Sequence, residues 1–147
     1  MLTNRLNLIF TKYQILSPYN YIALSGNSTS ISIHILNNII EEAACNSKEL
    51  WLLSQDMSKA YDSVNLELFK RSLHRINMPT QLIDILSNLL INRKNRVITN
   101  FGLTDSYSIK NGIDQEETIT PLFWQIYYDA LINQIATKHI GYTLETS

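Results

Sequence analysis

Two aspartates bracket a short loop that follows an apolar run. Asp56 and Asp62 stand at the ends of the sequence DMSKAYD, directly after the polar Ser54 and Gln55 and the apolar residues 50–53. Apolar residues without alternation are typical of a strand covered on both faces, so we expect Asp56 at the end of a buried strand. A carboxylate there is desolvated unless a cation or hydrogen bonds compensate it. The pattern therefore indicates a ligand for a divalent metal, although a helix-capping aspartate explains the same ten residues equally well.

Helices must position this loop, together with one hairpin. Apolar spacing predicts helices over residues 2–13, from about residue 30 to 43, over 66–76 and 81–90, and from 120 to about 138. Asn65 is the expected cap of the third helix, and Asn77 with Pro79 is expected to end it. Pro121 is the expected first residue of the last helix. Partial alternation predicts a hairpin over residues 96–109. The sum is an α+β fold, with a small antiparallel sheet packed by helices.

Three of these helices have a predicted inward face. In the third helix it consists of Leu66, Phe69, Leu73 and Ile76. In the second helix the expected buried positions are Ile35, Leu36, Ile39, Ile40 and Ala43. In the fourth helix they are Leu82, Ile85, Leu86 and Leu89.

Charge is distributed unevenly along a chain whose formal net charge is only -1. Residues 59–96 contain seven basic and three acidic residues. Within them Arg93, Lys94 and Arg96 are candidate contacts for nucleic-acid phosphates, and a solvated turn is the alternative. No apolar stretch is long enough for a membrane span, no signal peptide is recognised, and Cys45 is the only cysteine. We therefore expect an intracellular protein without a membrane partner.

The motif DMSKAYD resembles motif A of reverse transcriptases, especially those of non-LTR retrotransposons. Its residues Asp56, Ala60, Tyr61 and Asp62 match the pattern D-x-x-x-A-[FY]-D. Residues 111–131, NGIDQEETITPLFWQIYYDAL, are similar to motif B of the same family, which usually reads glycine, two residues, Gln-Gly, and then Ser/Thr-Pro-Leu-Leu-Phe. The stretch before motif A is also similar, so the resemblance covers nearly the whole chain.

This resemblance implies an RNA-directed DNA polymerase that uses Mg²⁺, an RNA template and a DNA primer. By the resemblance, Asp56 is the catalytic metal ligand and the backbone carbonyl of Met57 is a second oxygen ligand. Tyr61 falls at the steric gate beneath the incoming sugar, although a tyrosine packed in the core is the alternative. Asp62 is expected to be structural. Gln115 is the expected contact to the incoming nucleotide or template.

The chain departs from the family pattern in two places. Motif C of the family carries an Asp-Asp pair, and no such pair occurs in these 147 residues, which end at Ser147. Glu116 stands where motif B has glycine, which adds a side chain and a negative charge near the expected phosphates. A two-metal site needs more oxygen ligands than Asp56 offers. The prediction is thus a polymerase fragment that is inactive by itself, with fingers-like residues 1–49 and partial-palm residues 50–147. A nucleic-acid-binding remnant, or a decayed mobile-element relic without a selected role, is the alternative.

Overall fold

The chain forms helices and short antiparallel strand pairs. In the computed structural model, the described residues are 2–22, 29–91, 93–114, 117–138 and 141–142. The elements are α1 (Leu2–Tyr13), α2 (Thr29–Cys45), α3 (Leu66–Arg75), α4 (Thr80–Leu90), β1 (Lys94–Asn95), β2 (Ile98–Thr99), β3 (Gly102–Leu103), β4 (Tyr107–Ser108) and α5 (Thr120–Thr137). Within the described ranges, β1 pairs with β4 and β2 pairs with β3. The predicted α+β class is confirmed.

Contacts between Cα atoms divide the chain into two units. The first unit comprises residues 1–58 and 129–147, and the second comprises residues 59–128. The predicted division into residues 1–49 and 50–147 stays a prediction. None of the helices in the described ranges is both long and apolar enough to cross a bilayer.

Among the described residues of the first unit, few side chains are buried, and they come from separate segments. Leu6 and Phe10 of α1 are buried, as are Leu16 and, on α2, Ala43. Ile39 is half-buried, and the other predicted inward residues of α2, namely Ile35, Leu36 and Ile40, are exposed. Helical spacing thus correctly predicts α2, but the predicted inward face is wrong for those three positions. Periodicity marks a stripe that can be buried, whereas burial also requires a second surface against it.

The core of the second unit forms where α3, α4 and the start of α5 meet. Phe69 and Leu73 of α3 and Ile83 and Leu86 of α4 are almost fully buried. The ring centroids of Phe69 and Phe123 lie 5.0 Å apart at a tilt of 57°, which is a favourable arrangement for two aromatic quadrupoles. Each such buried side chain contributes about 1.5–3 kcal/mol relative to an exposed one.

Local capping explains where α3 begins and ends. The Asn65 side-chain oxygen accepts a hydrogen bond from the Leu68 N–H at 3.0 Å, which satisfies one of the unpaired amides of the first turn. At the other end Asn77 adopts a left-handed φ of 54°, a conformation that asparagine tolerates better than most residues, and Pro79 follows. The predicted cap and stop of this helix are both confirmed.

The helix α4 occurs where it was predicted, but it is rotated about its axis. The buried residues are Ile83, Leu86, Ser87 and Leu90. Leu86 agrees with the prediction, whereas Ile85 and Leu89 are exposed. The prediction fails because leucine and isoleucine occur all around this helix, so the spacing fits two faces and only the packing against α3 selects one.

The predicted buried strand at residues 50–53 is absent, and this prediction was wrong. Residues 48–57 have no regular structure, and Trp51 and Leu53 are 86% and 93% exposed. The Trp51 Nε1 donates to the Glu49 Oε1 at 2.9 Å, which is a local contact. A strand exists only where a neighbouring strand pairs with its backbone, and in the described ranges no strand pairs with this segment. Asp56 therefore does not follow a buried strand here.

The predicted hairpin is present as two short ladders on one excursion of the chain. At its base, Lys94 is opposite Ser108 and Asn95 is opposite Tyr107. Nearer the tip, β2 and β3 are joined by the two residues Asn100 and Phe101. Gly102 follows with φ +115°, a conformation that L side chains rarely adopt.

Candidate functional site

The end of the DMSKAYD loop is bonded to the start of the second motif. The Gly112 N–H donates to the Val64 carbonyl at 2.9 Å, and the Ile113 N–H donates to the Tyr61 carbonyl at 3.0 Å. Both segments belong to the second unit, although about fifty residues separate them along the chain. We call this pair of backbone bonds the motif junction. It brings the two segments singled out by sequence side by side.

A tight turn places Tyr61 at this junction. Lys59 has a left-handed φ of 51°, and the Ser63 N–H donates to the Lys59 carbonyl at 2.9 Å. The Ser63 hydroxyl also donates to the Ala60 carbonyl at 2.9 Å. These bonds close the turn over residues 59–63. The Tyr61 carbonyl accepts from the Ile113 N–H at 3.0 Å and from the Val64 N–H at 3.4 Å.

Gly112 is the residue that permits the close approach of the two segments. Its φ is +88°, and a Cβ built on it lies 2.9 Å from the Asp62 Cα and 3.0 Å from the Asp62 carbonyl oxygen. The Tyr61 carbonyl oxygen is 3.1 Å from the same point. Contacts below 3.0 Å with backbone are relieved only by moving the backbone itself. A side chain at this position is therefore excluded both by conformation and by space.

Arg93 anchors the same segment from the opposite direction. Its side chain is only 12% exposed, and Nη1 lies 2.5 Å from the Asp114 Oδ2. Nη2 donates to the Gly112 carbonyl at 2.5 Å, and Nε donates to the Leu90 carbonyl at 3.1 Å. One guanidinium thus ties the end of α4 to residues 112–114. A phosphate contact by Arg93, which the sequence suggested, competes with all of these bonds.

Thr120 holds the segment at its far end. This residue is almost fully buried, its hydroxyl donates to the Asp114 carbonyl, and its N–H donates to the Glu117 carbonyl at 3.1 Å. Gln115 and Glu116 lie outside the described residues, so their predicted roles stay predictions. The described neighbours on both sides of them are nevertheless anchored.

The Tyr61 ring lies against an aromatic cluster on α5. Its centroid is 5.7 Å from that of Trp124, with an angle of 56° between the planes. Trp124 also contacts Tyr128 at 4.8 Å and Tyr127 at 6.0 Å. Trp124 is buried, whereas Tyr61 and the other two rings are half-buried. Tyr61 therefore has a packing role in the second unit, and its predicted role as a steric gate stays a prediction.

Asp56 and Met57 lie in the first unit as exposed residues of an irregular segment. Asp62 is also exposed, and in the described part of the chain its carboxylate has no hydrogen bond or ion pair of its own. No group of three or more His, Cys, Asp or Glu side chains converges among the described residues. Mg²⁺ prefers six oxygen ligands in near-octahedral geometry. The donors in the described ranges do not fit a two-metal site.

The remaining predicted phosphate contacts differ from Arg93. Lys94 and Arg96 are both exposed, at the base of the hairpin. Neither has a hydrogen bond or ion pair to another residue of the described ranges. Their predicted contact to nucleic acid stays a prediction.

Asp129, which was not among the predicted functional residues, is fully buried in the first unit. Its Oδ1 accepts from the Ser17 N–H at 2.7 Å and from the Asn20 Nδ2 at 3.1 Å, and its Oδ2 accepts from the Asn133 Nδ2 at 3.0 Å. A carboxylate in an otherwise apolar helix was the available signal, since a buried charge needs partners. Nothing in the sequence indicated which residues those partners are.

The chain matches the family described as reverse transcriptase (RNA-dependent DNA polymerase) over residues 1–145. It is also similar to a retrovirus-related Pol polyprotein from type-1 retrotransposable element R2 of Popillia japonica, with 20% identity over 113 residues. That alignment covers 77% of this chain and 19% of the relative, so the chain spans about a fifth of the length of that protein. No solved structure gives a significant match.

Proposed function

Because the chain belongs to the reverse transcriptase (RNA-dependent DNA polymerase) family, we propose that it is a segment of a template-directed nucleotidyl transferase. In this proposal Asp56 is a metal ligand together with the carbonyl of Met57. Tyr61 lies beneath the sugar of the incoming nucleotide, and Gln115 contacts the nucleotide or the template. The nucleic-acid partners are an RNA template and a DNA primer. These roles follow the family pattern at the positions where this chain matches it.

The motif junction is the observation that carries the proposal. It joins the segment with Tyr61 to the segment that leads into Gln115, through two backbone bonds of 2.9 and 3.0 Å. Arg93 and Thr120 then fix the residues immediately before Gln115. A nucleotide site needs such side chains held by a rigid second layer of contacts. The motif junction supplies contacts of this kind.

Reverse transcriptases use divalent metal ions, and we propose that this segment supplies only part of the required ligand set. Asp56 is its one predicted carboxylate ligand, and the described residues do not gather a cluster around it. Two divalent ions held close together repel each other strongly unless several carboxylates offset their charge. The 147-residue polypeptide, assayed by itself, is therefore expected to be inactive.

Primer extension tests this expectation. The polypeptide would be incubated with an RNA template annealed to a labelled DNA primer, all four deoxynucleotides and Mg²⁺. We expect no template-dependent product from the wild-type chain. Extension that disappears in Asp56→Asn but persists in the matched exposed control Asp105→Asn would contradict the proposed inactivity and establish Asp56 as catalytic.

Binding of nucleic acid without catalysis is the second candidate function, and the exposure of Lys94 and Arg96 favours it. Exposed cations that have no partner in the described ranges are able to neutralise phosphates and release counterions. A mobility shift at low salt tests this. We expect binding that weakens in the double variant Lys94→Ala with Arg96→Ala and is retained in Lys12→Ala, which removes an exposed charge from α1. Equal binding by both variants would contradict it.

A further inference from the structure

The hairpin tip carries a side chain with no structural use in this unit. Phe101 is 101% exposed, in the two-residue loop between β2 and β3. We propose that Phe101 is a stacking platform for an unpaired base, and that the hairpin of residues 94–108 binds single-stranded nucleic acid. This inference rests on the binding function proposed above, and it adds the residue, the mode of contact and the preference for single strands.

Four hydrogen bonds hold the hairpin tip in one conformation. The Thr99 hydroxyl donates to the Gly102 carbonyl at 2.7 Å, and the Phe101 N–H donates to the same hydroxyl oxygen at 3.2 Å. Further down, the Val97 N–H donates to the Thr104 Oγ1 and the Thr104 N–H to the Val97 carbonyl, both at 3.0 Å. Phe101 is therefore presented on ordered backbone. Little backbone entropy remains to be lost when a ligand stacks on it.

The charges around the hairpin favour a polyanion as the occupant. Residues 93–110 contain four basic residues and one acidic residue, in a chain whose net charge is -1. Arg93 is held inside, whereas Lys94, Arg96 and Lys110 are exposed. Asp105 is the single opposing charge of this segment. A phosphate backbone therefore finds positive side chains at the hairpin base.

An aromatic ring at the hairpin tip together with cationic side chains at the other end of the hairpin suits single-stranded nucleic acid better than a duplex. In a single strand the base faces are accessible, so a ring can stack on them while cations follow the phosphates. In a duplex those faces are covered by their neighbours. A β-strand rises about 3.4 Å per residue, so the five residues from Arg96 to Phe101 span at most roughly 17 Å. A single strand of nucleic acid is long enough to contact both Phe101 and Arg96.

A protein partner is the competing occupant, because Ile98 and Leu103 are also exposed near Phe101. A docking face for a protein usually has few charges at its centre and a continuous apolar area. The basic residues at the base of this hairpin argue instead for charge complementarity with phosphate. The occupant is therefore nucleic acid, and self-association is an outcome that the test distinguishes.

Anisotropy of labelled oligonucleotides tests the inference on the 147-residue chain. The ligands are oligo(dT), oligo(rU) and a duplex of the same length, so the arms distinguish DNA from RNA and single from double strands. We expect Phe101→Ala to weaken single-strand binding roughly 5- to 150-fold, the range typical of the loss of one stacked base. Phe101→Tyr should restore binding. Tyr19→Ala, which removes another exposed ring in the first unit, is the matched control and should have no effect.

Two further measurements separate stacking from a general loss of structure. Phe101→Trp in a Trp51→Phe background introduces a fluorophore at the tip, and we expect oligonucleotide to quench it. Replacing Lys94 and Arg96 with alanine should lower the slope of log affinity against log salt by roughly 1.4, about 0.7 for each lost phosphate contact on a single strand. That double variant should retain the quenching at saturating oligonucleotide.

The outcomes are distinguishable from those of the proposed binding function. If the wild-type chain binds no nucleic acid, both proposals are wrong. If it binds but Phe101→Ala binds equally well, or if duplex is bound as tightly as single strands, the stacking inference is wrong while the binding function stands. If Phe101→Ala instead abolishes self-association seen by sedimentation, the occupant is a second copy and the inference is overturned.

Discussion

Replacing Gly112 with alanine should destabilise the second unit more than any other glycine-to-alanine change in the described chain. The new Cβ would lie 2.9 Å from the Asp62 Cα and 3.1 Å from the Tyr61 carbonyl oxygen. All atoms nearest to it are backbone, so no side chain can rotate away. The motif junction would have to open, with loss or lengthening of the bonds from Gly112 to Val64 and from Ile113 to Tyr61.

Two terms set the magnitude. A non-glycine residue held at a sparsely populated φ such as +88° costs about 1–3 kcal/mol. Forcing an extra carbon into a packed site costs about 1–3 kcal/mol more. We therefore expect Gly112→Ala to lower the free energy of unfolding by roughly 2–6 kcal/mol, a large part of the 5–15 kcal/mol that is usual for a folded domain.

Two other glycines serve as matched controls. Gly102 has φ +115° with no atom within 4 Å of a built Cβ, so Gly102→Ala carries the conformational term without the steric one. Gly141 has open space and no φ in the unfavourable range, so its replacement carries neither. The expected order of destabilisation is Gly112, then Gly102, then Gly141.

Urea unfolding followed by the fluorescence of Trp124 measures these differences. Trp124 is buried in the second unit and contacts the Tyr61 ring at 5.7 Å, so it reports on the region around the junction. Trp51 is exposed and would be replaced by phenylalanine to remove its signal. If Gly112→Ala and Gly102→Ala shift the free energy of unfolding by the same amount within about 0.5 kcal/mol, the steric argument for the junction is refuted.

Three further predictions concern buried polar groups and exposure. Arg93→Ala should lower the free energy of unfolding by about 2–4 kcal/mol, because it leaves the Leu90 and Gly112 carbonyls without their donor and breaks one ion pair. Asp114→Ala should lower it by less. Equal losses for these two single variants, measured within a double-mutant cycle, would contradict the multiple roles of the guanidinium. Asp129→Ala should lower the free energy of unfolding by about 2–4 kcal/mol and increase proteolytic cleavage within residues 14–22, which Asp129 holds through Ser17 and Asn20. Unchanged protease resistance of that segment would contradict this tethering role. Leu53 is exposed and Leu73 is fully buried. Leu53→Ala should therefore change the free energy of unfolding by less than about 0.5 kcal/mol, whereas Leu73→Ala should lower it by about 2–5 kcal/mol. Similar losses for the two variants would show that residues 50–53 are packed.

Helix positions were predictable because their causes are local. The Asn65 side chain caps the amide of a residue three positions later, and Pro121 lacks an amide hydrogen that would have no partner in the first helical turn. The inward faces were less predictable. In α4, Ile85 and Leu89 fit the apolar spacing as well as Leu86 does, but only contact with α3 decides which of them is buried.

In the candidate site, too, features with local causes were predictable and features that depend on tertiary contacts were not. The residue types and spacing of Asp56, Tyr61 and Gln115 identified the family, which the match over residues 1–145 then established. The expectation of a buried strand before Asp56 failed, because an apolar run specifies a tendency to be covered and not the neighbour that covers it. Roles that depend on Gln115 remain predictions.

By itself, the sequence determined the family, the α+β class and the positions of the helices, since these depend on residue order, apolar spacing and local caps. The tertiary structure alone decided that Gly112 fits against Asp62, that Arg93 faces inward to Asp114, and that Phe101 faces solvent. The physical reason is that such contacts join atoms far apart along the chain. Their partners, and hence whether a charge is clamped or free to meet a phosphate, exist only once the chain has folded.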